Sequence, residues 1–212
     1  MRVIKYDAFL TKYPTCNTNS LLDTPLPRIA IFASGNGSNA ENIITYFKAQ
    51  NTACVSCVLC NKPDAYVLER AANHQIPTLV FNKQELGNGT VLHYLQSHQI
   101  QWVVLAGFLW LVPQAIVAAY MGHIVNIHPA LLPAYGGKGM YGMRVHQAVH
   151  QQGEKQTGIT IHHVNNHYDE GSVIFQATTA IAPDDTPETI AQKVHALEHA
   201  HFAKVLERLI RK

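Results

Sequence analysis

Arg28-Ile29-Ala30-Ile31-Phe32-Ala33-Ser34-Gly35-Asn36-Gly37-Ser38-Asn39 decides the fold of this 212-residue chain. Arg28 to Ala33 is an apolar run of strand length. Gly35 to Asn39 reads as a turn. Ala40 to Gln50 then carries Ile43, Ile44 and Phe47 at helical spacing. A strand that passes through glycines straight into a helix is the opening half of a β–α–β unit.

The same alternation continues outward. Ala53 to Cys60, Pro77 to Phe81, Trp102 to Ala106 and Ile124 to Ile127 read as strands two to five. Between them lie helices over Asp64 to Gln75, Gln84 to Ser97 (interrupted near Gly87 and Gly89) and Pro113 to Tyr120, the last with Pro113 at a permitted first-turn position. This pattern predicts an α/β fold, a Rossmann-like, mostly parallel twisted sheet with helices on both faces. The pattern then changes. Ala134 to Gly142 is a glycine-rich loop, and Val145 to Gln151 is a short helix. Gly158 to Val164 and Val173 to Ile181 form a C-terminal strand pair around the loop Asn165 to Ser172. Pro187 opens a long final helix that runs to about Ile210.

The length fits one domain, placed at residues 28–212. Residues 1–27, with Thr11, Thr15, Asn17, Thr18, Asn19 and Ser20 before Pro25 and Pro27, read as a poorly ordered extension without the apolar core of a signal peptide. A formal net charge of +2 is too small to argue for nucleic acid or an anionic membrane. No apolar run reaches the ~20 residues that a spanning helix needs. Four cysteines suggest a reducing compartment without a disulfide framework, and hence a cytoplasmic protein. Cys54, Cys57 and Cys60 share a cluster-like spacing. Residues three apart on a strand face opposite ways, however, so they read as small core side chains.

Two stretches carry chemistry. In the first, Gly35 and Gly37 let the backbone approach an anion. The free N–H groups of the helix start bind phosphate, and Ser38 and Asn39 add side-chain donors. With Ala40 the run also fits the dinucleotide pattern G-x-G-x-x-A. That pattern expects an acid at the end of the second strand, where Leu59-Cys60-Asn61-Lys62 stands instead. A phosphomonoester of a small substrate fits better, and a tight turn without a ligand is the plain alternative. The second stretch is Asn126-Ile127-His128-Pro129-Ala130-Leu131-Leu132-Pro133. On extended backbone Asn126 and His128 point to one side. An amide and an imidazole that converge there suit a carbonyl that becomes an oxyanion. A polar turn after a strand is the plain reading.

Together these stretches, with Leu105-Ala106-Gly107-Phe108 and Gly158-Ile159-Thr160-Ile161-His162-His163-Val164 leading into Asp169-Glu170-Gly171, resemble the glycinamide ribonucleotide formyltransferases, folate-dependent enzymes of purine synthesis. The resemblance runs from about Arg28 to Lys212. It implies the formyltransferase fold and transfer of a formyl group from 10-formyltetrahydrofolate, a co-substrate, with no metal. It implies a catalytic trio of Asn126, His128 and Asp169, with Asp169 raising the pKa of His128 so that a protonated imidazole stabilises the oxyanion. Gly37, Ser38 and Asn39 would grip the substrate phosphate, and Glu198 would contact the ribonucleotide. Leu109, Trp110, Leu111 and Val112 would line the folate pocket, helped by Asn165, Asn166, His167 and Tyr168. The partners implied are small molecules, on a monomer or homodimer.

Three departures from the resemblance stand out. The loop Ala134 to Arg144 is long, and its glycines (Gly136, Gly137, Gly139 and Gly142) permit hinging over the substrate. Glu170 and Ser172 replace a more usual glycine and proline. Trp110 and Gln84 stand where many members carry arginine. Thirteen histidines invite a metal reading, sharpest at His195-Ala196-Leu197-Glu198-His199 and again at His146 and His150. The first lacks a further downstream ligand, and His162 reads as hydrogen-bonding support for the site. The rival functions are a formyl-folate hydrolase, a sugar or tRNA formyltransferase, and a non-catalytic nucleotide-binding module.

Overall fold

The computed structural model describes residues 25–212, so most of the expected extension lies outside the described residues. Leu26, which falls within that expected extension, is 7% exposed, and the Pro27 carbonyl accepts the Cys54 N–H at 2.8 Å, so the packed chain begins ahead of Arg28.

Strands β1 (Arg28–Ala33), β2 (Cys54–Cys60), β3 (Thr78–Val80), β4 (Trp102–Leu105), β5 (Ile124–His128), β6 (Gln156–His163) and β7 (Val173–Ala180) form one sheet. Its order is β3-β2-β1-β4-β5-β6-β7. The first five strands pair in parallel, and β6 and β7 are antiparallel. Strand order therefore reverses between β1 and β4, and the crevice beyond their carboxyl ends is where open sheets of this kind bind ligands.

One core cluster fills the face beneath α1 (Ser38–Gln50), α2 (Val67–Asn73) and α7 (Pro187–Ile210). A second fills the opposite face beneath α3 (Lys83–Gly87), α4 (Thr90–Ser97) and α5 (Gln114–Ala119). Cys60 lies in the first cluster and Cys57 in the second, as strand alternation requires. Cys54 is disulfide-bonded, which departs from the expectation of a chain without disulfides.

Several bounds differ from expectation for local reasons. Helix α1 begins at Ser38 rather than Ala40, because Gly37 takes the left-handed conformation and turns the chain early. The third predicted helix divides at Gly87–Gly89. Asn82 and Glu85 cap α3 reciprocally, and left-handed Gly89 precedes α4. Pro113 precedes α5 in extended conformation instead of being its first residue. Strand β5 extends through His128, because His128 still pairs with Thr160 of β6. Helix α6 (Met143–Gln151) starts two residues early. Helix α7 carries Pro187 at its start behind the Thr186–Thr189 capping box, and it runs to Ile210 as expected.

Candidate active site

On β5, Val125 and Ile127 point into the cluster beneath α1 and α7, so Asn126 and His128 share the opposite side. The chain beyond them is pinned by the buried Thr160 hydroxyl, which accepts the Leu132 N–H at 2.9 Å and donates to the Ala130 carbonyl at 2.7 Å. The loop after β6 returns Asp169 in a left-handed conformation (φ 57°). One carboxylate oxygen lies 3.5 Å from His128 Nδ1, and the other lies 3.4 Å from the Asn126 amide nitrogen. The Asn126 amide, the His128 imidazole and the Asp169 carboxylate therefore meet.

His128 is buried, and its Nε2 lies 2.8 Å from the Tyr135 carbonyl. A carbonyl only accepts, so Nε2 carries a proton, and Nδ1 is the nitrogen that faces Asp169. Burial lowers the His128 pKa and outweighs the raising effects of Asp169 and the Tyr135 carbonyl. The net direction is therefore downward, opposite to the rise expected from the Asp169 carboxylate alone. Burial would raise the Asp169 carboxyl. His162, the charge of His128 and the Gly137 N–H, which donates to Oδ2 at 2.9 Å, together hold it below the ordinary carboxylate range.

His162 supports the group from behind. Its Nδ1 donates to the His163 carbonyl at 2.8 Å, and its Nε2 accepts from Asn126 at 3.0 Å. His162 stands directly opposite Asn126 across β5 and β6, which places it for the hydrogen-bonding support read from the sequence.

The glycine turn lies at the end of β1. Gly37 has φ +80°, and a Cβ there would fall 2.4 Å from Val67 Cγ2, so only glycine fits. No side chain caps α1, which leaves its first N–H groups for a ligand. Arg70 braces the turn through the carbonyl and side chain of Asn36, both at 3.0 Å. Ser38 and Asn39 are the first two helical residues. The Asn39 amide, however, donates to Glu198 Oε2 at 2.9 Å, so what Asn39 offers an anion is its backbone N–H.

Glu198, on α7, is only 5% exposed, unlike a typical helix glutamate. His195 Nδ1 donates to the same Oε2 at 2.7 Å, and that bond raises the His195 pKa. His146, on α6, is 3% exposed, and burial lowers its pKa. Its Nδ1 and Asn39 Oδ1 are buried polar atoms without a partner among the described residues. His146 lies within electrostatic reach of His128, His195 and Glu198, which its spacing with His150 did not suggest.

The predicted folate strip follows β4. Ser34 links the two loops of the crevice: its N–H donates to the Gly107 carbonyl and its hydroxyl accepts the Leu109 N–H, both at 3.1 Å. Val112 is buried, Leu111 is exposed, and Leu109 and Trp110 are half-buried. Trp110 packs edge-on against Phe81 and Phe108, which explains an aromatic residue there. Asn165 accepts the His167 N–H at 2.9 Å to shape its loop. Asn166 and His167 are exposed, and Tyr168 is half-buried beside Asp169.

The Formyl transferase family model matches residues 27–206. A phosphoribosylglycinamide formyltransferase of Bacillus subtilis (strain 168) is 37% identical over 191 residues, which cover 87% of this chain and 95% of that one. Among solved structures, phosphoribosylglycinamide formyltransferase from Bacillus halodurans superposes with a TM-score of 0.79 at 39% identity, over 87% of this chain and 96% of that one. The enzyme of that name from Anaplasma phagocytophilum gives a TM-score of 0.81 at 31% identity, over 88% and 87%.

Proposed function

The chain belongs to the formyl transferase family, and we infer that it transfers the formyl group of 10-formyltetrahydrofolate to the amine of glycinamide ribonucleotide, a step of purine biosynthesis. The observation that carries the chemistry is Asp169 placed 3.4 Å from Asn126 and 3.5 Å from His128 at the end of β5. No helix among the described residues is long and apolar enough to cross a membrane, and no group of three or more metal-binding side chains occurs among them.

In the proposed mechanism the substrate amine attacks the formyl carbon on N10 and a C–N bond forms. The Asn126 contact to Asp169 is long, and this N–H is the one that turns to the developing oxyanion. Neutral His128 accepts the amine proton at Nδ1. The imidazolium so formed faces the ionised Asp169, which stabilises it. The proton then passes to N10 as the C–N10 bond breaks, leaving formylated ribonucleotide and tetrahydrofolate. The phosphate lies on the N–H groups of Gly37, Ser38 and Asn39. The strip Leu109 to Val112 and the loop Asn165 to Tyr168 take the folate.

Glu198, held by Asn39 and His195 through Oε2, is proposed to receive the substrate on Oε1. Glu198→Ala is expected to raise KM for the ribonucleotide about 10- to 100-fold, the value of a hydrogen bond to a charged group, with KM for the folate within about twofold. An unchanged ribonucleotide KM removes Glu198 from the substrate site. The reaction itself is tested by following 10-formylfolate loss spectrophotometrically with and without glycinamide ribonucleotide. Loss that needs the amine and yields formylated ribonucleotide is the expected result. Loss at the same rate without the amine means hydrolysis and refutes the assignment.

A further inference from the structure

We propose that the turn Tyr135–Gly137 is a positioning element of formyl transfer, with the Tyr135 hydroxyl as its anchor on Glu154. The proposal rests on the reading of His128 and Asp169 as the proton-moving pair. Three hydrogen bonds carry it. The Tyr135 carbonyl takes the His128 Nε2 proton at 2.8 Å, and the Gly137 N–H donates to Asp169 Oδ2 at 2.9 Å. The Tyr135 hydroxyl donates to Glu154 at 2.7 Å, in the connection between α6 and β6.

The turn has the conformation this task needs. Tyr135 lies at φ 57° and Gly137 at φ 94°, so an acceptor and a donor two residues apart reach two different side chains. A Cβ on Gly136 would fall 2.5 Å from Leu132 Cδ2 and 3.3 Å from Asp169 Cβ, so the turn lies directly against the acid. The Tyr135 ring packs on Ala130, Val145 and Val149, and its phenol, pushed up to about 12 by burial and by Glu154, remains a donor across the working range.

The chemical consequence concerns the tautomer. A carbonyl against Nε2 keeps the proton there and leaves Nδ1 bare beside Asp169. If the turn loosens, His128 can place its proton on Nδ1 and bond Asp169 instead, and it then accepts nothing from the amine. This gives the long loop Ala134 to Arg144 a role at its first residues that needs no hinging.

The test compares Tyr135→Phe, Glu154→Ala, Glu154→Gln and His128→Asn by steady-state kinetics across pH. Tyr135→Phe and Glu154→Ala each remove one end of the anchor. Each is expected to lower kcat about three- to tenfold, with both KM values within about twofold. The pH limb that reports His128 is expected to move down, because its pKa loses the raising effect of the Tyr135 carbonyl. Glu154→Gln keeps an acceptor and should stay close to wild type. A Tyr135→Phe enzyme with wild-type kcat, or with a lower kcat and an unmoved limb, overturns the proposal while leaving the His128 reading intact. Wild-type turnover in His128→Asn overturns that reading and this proposal with it.

Discussion

Asp169→Asn is expected to lower kcat about 10²- to 10³-fold, the range of a positioned proton-transfer group, while the enzyme still folds and binds both substrates. The carboxylate takes the Gly137 N–H, contacts the Asn126 amide and faces His128 Nδ1. Asparagine keeps a single carbonyl acceptor and sets an NH2 group against one of those partners. It also removes the negative charge that stabilises the imidazolium during transfer, so the His128 pKa falls further. Asn126→Ala and His128→Ala remove the other two members and should cost a similar factor. Rapid-quench turnover beside circular dichroism separates chemistry from unfolding. A well-folded Asp169→Asn enzyme within about tenfold of wild type would remove the acid from the scheme.

Gly171→Ala is the second large effect, and it acts through the backbone. A Cβ there would lie 1.6 Å from the His163 carbonyl oxygen and 2.6 Å from its carbon. Neither neighbour is a flexible side-chain end, so β6 and β7 must part where His163 N–H bonds the Ser172 carbonyl at 2.9 Å. Overpacking of this kind costs about 3 kcal/mol. Because Asp169 lies two residues away and His162 Nδ1 lies 3.4 Å from the same Cβ position, turnover should fall along with stability. Urea unfolding followed by tryptophan fluorescence measures the first effect. A change below about 0.5 kcal/mol means that the strands part at little cost, and it refutes the close-approach argument.

The sheet was legible because its central strands are buried on both faces and read as unbroken apolar runs, as in Arg28 to Ala33. Asn126 and His128 were legible for a related reason: two polar residues interrupt such a run at a period of two. Asp169 has no comparable local signal. It lies in an irregular loop 41 residues beyond His128, and only the resemblance pointed to it. The downward pull of burial on His128 was not legible, because a carboxylate neighbour can be guessed from a motif whereas depth of burial cannot. Glu198 and His146 look like ordinary helix residues in sequence. Their burial arises only when α6 and α7 pack together against the start of α1.

The bond from Asn39 to Glu198 spans 159 positions of sequence. A polypeptide emerging from the ribosome presents Asn39 early and Glu198 almost last. With both in the substrate roles proposed above, the binding place is complete only when synthesis is nearly done. Once the final helix docks, ligand held between the two ends favours their association by mass action. Ribonucleotide should then slow amide exchange at both extremities together, although they are strangers in the order of translation.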